Sequence, residues 1–144
     1  MSITLYDGYG TPSMEFVAYK KSRDYKVHFY AANDDKFPST RLRCVNISNW
    51  LKRQGIECYV GPEQKMGYDI VVFKQFRQHD LEFMKRKKEK GRKVYVDLSE
   101  DILDNQIVIE MVKLADKVLC CSDWLREKVS LINENAIEIN EAFE

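Results

Sequence analysis

The chain has 144 residues, which fits one domain and leaves no room for two of ordinary size. With 44% hydrophobic and 32% charged residues it has an ordinary globular composition and a heavily charged surface, and no low-complexity tract or internal repeat interrupts it. Its net charge is zero but segregated: residues 1–96 carry 19 Lys and Arg against 11 Asp and Glu (+8), and residues 97–144 carry 4 against 12 (−8), so the basic part can attract anions while the acidic part argues against a protein that coats nucleic acid.

Residues 1–25 read as an N-terminal extension in which Gly8, Gly10 and Pro12 sit among polar and aromatic residues. They form either a mobile arm or a hairpin that packs on the domain. Met1 to Gly10 has neither the basic start nor the apolar core of a secretion signal. No apolar run approaches the roughly 18 residues that span a bilayer.

From residue 26 to 144 the pattern is that of a single α/β domain. Val27 to Ala32 reads as a buried strand. Pro38-Ser39-Thr40 opens a helix with Ser39 or Thr40 as its cap; Leu42, Val45 and the Trp50/Leu51 pair recur at helical spacing, and Gly55 follows the last turn. Glu57 to Val60 is a short strand ended by Gly61-Pro62, and Tyr68 to Phe73 is the clearest strand. A helix with Leu81 and Met84 facing inward runs to about Lys90 and stops at Gly91. Lys93 to Leu98 is a strand, Ile107 to Ala115 a helix, and Val118 to Cys121 a strand. Ser122 caps a helix carrying Trp124, Leu125 and Val129, and Ala136 to Ile139 is a last short strand. Several runs are apolar on both faces, as strands are when helices cover both sides of a parallel sheet. The expected fold is a Rossmann-like, three-layer α/β/α domain with a mainly parallel sheet of about six strands.

In such sheets ligands bind beyond the carboxyl ends of the strands. That selects the segments worth inspecting. Ser39, Arg41 and Arg43 lie at a helix start, where free N–H groups, partial positive charge and two guanidinium groups favour an anion; the plainer reading is a capped surface helix with solvated arginines. Lys74 and Gln75 end the strongest strand, suited to an anion and a hydroxyl. Asp97 ends another, where a carboxylate can bond a sugar hydroxyl or act as a base; Ser99 or Asp101 is otherwise the cap of the next helix. Lys85 to Lys93 holds seven basic residues in nine. It reads as a solvated helix end, or as a contact with an anionic membrane worth roughly 1 kcal/mol per basic residue. It has no interleaved aromatic residues to stack nucleic-acid bases.

The four cysteines (Cys44, Cys58, Cys120, Cys121) contain no CxxC pair, and only His28 and His79 could join them around a metal. They are expected as reduced thiols of a cytosolic protein, with Cys120 and Cys121 serving as small buried hydrophobes. Neither a metal nor a cofactor is expected. No Gly-x-Gly-x-x-Gly follows the first strand, and there is no Walker A motif, Gly-x-Ser-x-Gly elbow or His-Glu-x-x-His.

Four stretches together resemble the N-terminal, acceptor-side domain of GT-B glycosyltransferases of the retaining family 4, or group 1, type. They are Ser39-Thr40-Arg41-Leu42-Arg43 with the Trp50-Leu51 to Gly55-Ile56-Glu57 exit, Tyr68 to Gln75, Gly91 to Asp101, and Leu114 to Leu125. The resemblance implies that Arg41, Arg43, Lys74, Gln75, Asp97 and Ser122 line an interdomain cleft, and with Ser39 and Ser99 they hold a carbohydrate or glycolipid acceptor. It implies a nucleotide-sugar donor held by a second Rossmann domain or a partner subunit, because the chain stops at about Ile137 to Asn140, where the linker to that domain would begin. The acidic element departs from the family pattern at Ser99-Glu100, and no catalytic base can be named.

The first reading is therefore a glycosyltransferase domain inactive alone, cytoplasmic and peripheral to a membrane, with an apolar patch near Ala142 and Phe143 if it is one subunit of a split enzyme. The second is a non-catalytic module binding a sugar or anion in the same crevice. The third is a receiver-like domain, with Asn33-Asp34-Asp35 holding Mg²⁺ and Asp97 accepting phosphate. Lys74, where such a domain needs an acid, speaks against it.

Overall fold

The computed structural model describes residues 25–31 and 44–139, and the backbone of 2–6 and 12–17. The predicted helix start at Pro38 to Thr40, the acids at 33–35 and the apolar pair at 142–143 lie outside these residues, as do Ser39, Arg41 and Arg43. Within the N-terminal extension, β1 (Ser2–Tyr6) and β2 (Pro12–Val17) pair antiparallel.

The main sheet has six parallel strands: β3 (Lys26–Tyr30), β4 (Glu57–Val60), β5 (Ile70–Phe73), β6 (Lys93–Leu98), β7 (Lys117–Cys120) and β8 (Ala136–Glu138). Their order across the sheet is β4-β3-β5-β6-β7-β8. Between them lie α1 (Asn46–Arg53), α2 (Gln78–Glu89), α3 (Gln106–Leu114) and α4 (Asp123–Ser130). The chain steps one way from β3 to β4, then the other way along β5, β6, β7 and β8. Right-handed crossovers therefore place α1 on one face and the other three helices on the opposite face. The burial pattern agrees. Leu51 of α1 packs with Phe29, Cys58 and Val72, whereas Leu81, Met111 and Leu125 of the other helices pack with Val71, Val94 and Val118. The fold is the Rossmann-like α/β architecture expected from the alternation of runs.

Local chemistry sets the element ends. Gly55 (φ 85°) and Gly91 (φ 72°) take the left-handed conformation just past α1 and α2, where a side chain would be strained. Ser122 accepts the Leu125 N–H and starts α4 as expected. α3 is capped by Asn105, which accepts from Ile107 and Val108, and not by Ser99 or Asp101. Asp101 instead accepts the Leu103 N–H and the Lys128 ammonium.

The step from β4 to β5 passes over β3 without a helix. Residues 61–69 form this crossover, and their backbone groups need other partners. Lys87 of α2 supplies three of them. Its side chain is fully buried, and its ammonium donates to the carbonyls of Tyr68 (2.7 Å), Met66 (3.0 Å) and Lys65 (3.4 Å). Burial, helped by the nearby Arg92 charge, lowers its pKa to about 8. This corrects the reading of Lys85 to Lys93 as a solvated terminus. Arg92 pairs with Asp69 at 2.8 Å, Lys88 donates to the Leu114 carbonyl at 2.6 Å, and Arg86 donates to Gln64. Lys85, Lys90 and Lys93 remain exposed.

His28 closes the other end of the crossover. It is fully buried, and its Nε2 lies 3.0 Å from the Gly61 carbonyl, so the proton belongs on that nitrogen. Burial is the main cause that lowers its pKa from 6.5 to about 4, reinforced by the charges of Lys87 and Lys65 against the pull of the Gly61 bond. Tyr59, Tyr68, Tyr30 and Phe83 surround the ring.

Two outcomes follow from this crossover. Lys87→Met leaves three carbonyls without their cation, and urea unfolding should show a loss of about 2 kcal/mol, with faster amide exchange in residues 61–69; an unchanged midpoint would show that water replaces the ammonium at no cost. The neutral imidazole makes stability depend on pH. The folded pKa lies below the unfolded one, so the unfolded chain binds the proton first. Stability is complete above pH 6.5 and falls as pH drops towards about 4, by roughly 3 kcal/mol in all. The urea midpoint of His28→Phe should be flatter than that of the parent across this window.

Candidate functional site

The chain reverses direction across the sheet between β3 and β5, so a crevice opens beyond their carboxyl ends. Lys74 sits there, held by its N–H on the Tyr30 carbonyl at 3.0 Å. Its ammonium reaches across to β6 and lies 3.6 Å from Asp97 Oδ2 and 3.1 Å from Ser99 Oγ. Strand alternation explains the meeting. Val94, Val96 and Leu98 point into the larger core, so Tyr95 and Asp97 face the α1 side. The side chains of Lys74 and Asp97 are only 8% and 3% exposed. A buried pair of this kind offsets the desolvation of each charge only while both partners stay.

The cluster continues to β7. The Cys121 thiol donates to the Ser99 carbonyl at 3.3 Å, and Cys121 N–H donates to the Leu98 carbonyl at 3.2 Å. Cys121 is therefore half-buried at the crevice, whereas Cys120 is fully buried in the core. The pair was expected to be buried together. Cys121 lies one residue past the end of β7, at the edge of the same core that buries Cys120.

The remaining candidates are employed locally. Ser122 spends its hydroxyl on the α4 cap. Gln75 accepts from Arg77, which also donates to Asp80 at 3.0 Å. Asp80 is fully buried and accepts the Tyr30 phenol at 2.6 Å and the Arg77 N–H at 2.8 Å; Gln64 donates to Tyr30 at 3.2 Å. Burial, and then the Asp80 carboxylate, push the Tyr30 phenol above its ordinary pKa. This second network was not anticipated. Asp80 sits three residues into α2, and an acid in a helix's first turn was the available signal.

The structure thus brings Lys74, Asp97 and Ser99 together and draws Gln75 and Ser122 into neighbouring caps. Lys74 is not a bare cation awaiting an anion, because Asp97 balances it. Such a group offers hydroxyl-sized polar contacts: an ammonium donor, a carboxylate acceptor and a serine hydroxyl. No group of three or more His, Cys, Asp or Glu placed to hold a metal occurs among the described residues. None of their helices is long and apolar enough to cross a membrane.

Fold and crevice define an α/β domain of the doubly wound, Rossmann-like class. Compared with known proteins, the chain matches no family model, no curated protein and no solved structure.

The buried pair makes a measurable claim. Lys74→Met and Asp97→Asn should each cost about 3 kcal/mol in chemical unfolding, because each strands the other's charge. The double variant should lose clearly less than the sum. Additive losses would mean that the two groups do not depend on each other.

Proposed function

We propose that this domain is the acceptor-side half of a GT-B-type, retaining glycosyltransferase, which binds a carbohydrate or glycolipid acceptor while a second Rossmann domain or partner subunit holds the nucleotide-sugar donor. The observation that carries this reading is the Lys74–Asp97–Ser99 cluster at the carboxyl edge, 3.1–3.6 Å apart and nearly buried. Its donors and acceptor match the hydroxyl groups of a sugar better than a phosphate, since Lys74 is already neutralised. The four sequence stretches that resemble the family support the same reading, and three of them include residues on this edge. The domain's work is positioning: it holds the acceptor hydroxyl towards the donor carbon, where alignment removes much of the barrier. Peripheral attachment to an anionic membrane rests on Lys85, Lys90 and Lys93, which gives a modest attraction.

A non-catalytic sugar-binding module is the second reading. It is favoured by the mutual engagement of Lys74, Asp97 and Ser99, which leaves this cluster without a side chain poised as a base. Assays of hydrolysis and transfer with UDP-, GDP- and dTDP-sugars separate the two, with the chain alone and with candidate donor domains. The expected result is no turnover alone and transfer on adding the right donor half, reduced at least tenfold by Ser99→Ala. Turnover by the isolated chain would refute the division of labour; sugar binding without turnover under any combination would favour the module.

A further inference from the structure

α4 carries an aromatic residue that the core does not use. Its inward positions, Leu125 and Val129, are buried, whereas Trp124 is 63% exposed, more than any other aromatic among the described residues. An indole left in water forgoes the burial that this side chain normally gains. Its surroundings are polar. Lys128 lies over the ring, 5.2 Å from the centroid, and Asp123 and Arg126 pair beside it at 2.7 Å. The same Lys128 ammonium bonds Asp101, two residues past Ser99. One cation therefore ties the Trp124 ring to the loop that follows β6, at the carboxyl edge of the sheet.

We infer that Trp124 is the stacking platform of a sugar subsite on the β6–β7 rim of the crevice, a claim that rests on the carbohydrate reading above. A pyranose ring has an apolar C–H face and a rim of hydroxyl groups. The indole face away from Lys128 suits the first, and Asp123, Arg126, Lys128 and Asp101 suit the second. The ligand class is an oligosaccharide or glycoside longer than one residue, one ring reaching the Lys74–Asp97–Ser99 cluster and another lying on Trp124. A protein partner fits less well. The next exposed apolar residue on this stripe, Leu131, is seven positions on, about 10 Å along the helix, and Lys128 stands between them.

The test uses fluorescence, since Trp50 and Trp124 are the only tryptophans. In Trp50→Phe the emission reports Trp124 alone; if that variant folds poorly, the wild type is compared with Trp124→Phe. Maltotriose, cellotriose, mannotriose and a galactose disaccharide serve as probes, with sugar binding followed independently by ligand-observed NMR. The expected result is a saturable blue shift with at least one probe. Trp124→Ala should bind that probe about tenfold more weakly, with an unchanged urea midpoint, and Trp124→Phe should retain most of the affinity. Three outcomes overturn the inference. Sugar binding without an emission change removes Trp124 from the subsite while leaving the carbohydrate reading standing. No binding of any probe by NMR defeats both. Emission that shifts with protein concentration, together with a dimer that Trp124→Ala dissolves in sedimentation, makes the indole a self-association contact.

Discussion

The buried ammonium of Lys87 is the contact on which the arrangement of this sheet depends. A chain that crosses from β4 over β3 to β5 ordinarily carries a helix, whose own hydrogen bonds satisfy its backbone. Here the crossing is nine residues without one, and Lys87 supplies donors to three of its carbonyls. With the crossover fixed, β3 lies between β4 and β5 and the direction of winding reverses beside it. That reversal brings the carboxyl ends of β3 and β5 side by side, with Lys74 bonded to Tyr30, and from there Lys74 reaches Asp97. The crevice thus follows from the strand order that this crossover completes.

The same contact shapes the electrostatics around it. A cation placed in the interior must be matched by dipoles, and it discourages a second cation nearby. His28 is that neighbour; burial above all, and then the Lys87 charge, keeps it neutral with its Nε2–H on Gly61. Gln64 links the crossover to the Tyr30–Asp80 network, so the polar groups beneath the crevice are tied in sequence from Lys87 to the start of α2. The carboxyl end of β3 is thus held by hydrogen bonds as well as by packing.

The sheet was legible because its strands are continuous apolar runs bounded by Gly, Pro or charged residues. β6 falls where the run Lys93 to Leu98 places it, and Gly55 and Gly91 end their helices as read. The basic run at 85–93 was not legible in the same way. Sequence patterns treat Lys as a surface residue, yet Lys87 follows Phe83 and Met84 at helical spacing and shares their buried face. Only the crossover, formed by residues distant in sequence, gives that position a reason to be cationic. Asp97 and Lys74 could each be placed at a strand end, but their pairing depends on β5 and β6 being neighbours. Strand order across a sheet is a tertiary fact that local patterns do not carry.

Strand order also accounts for the charge segregation along the chain. Most of the basic residues precede residue 97, 19 of 23, whereas the 23 acidic ones divide almost evenly about it, which on a string would suggest a positive and a negative surface. In the fold the boundary runs through the middle of the sheet, and ion pairs cross it. Lys74 meets Asp97, and Lys88 meets Asp116. The excess charge of each half is partly consumed by the other at the seam between β5, β6 and β7. What remains at the carboxyl edge is a polar cluster whose charges balance, with the exposed Trp124 tied through Lys128 to the loop after β6. The near-neutrality of that cluster therefore follows from the topology that brings Asp97 beside Lys74.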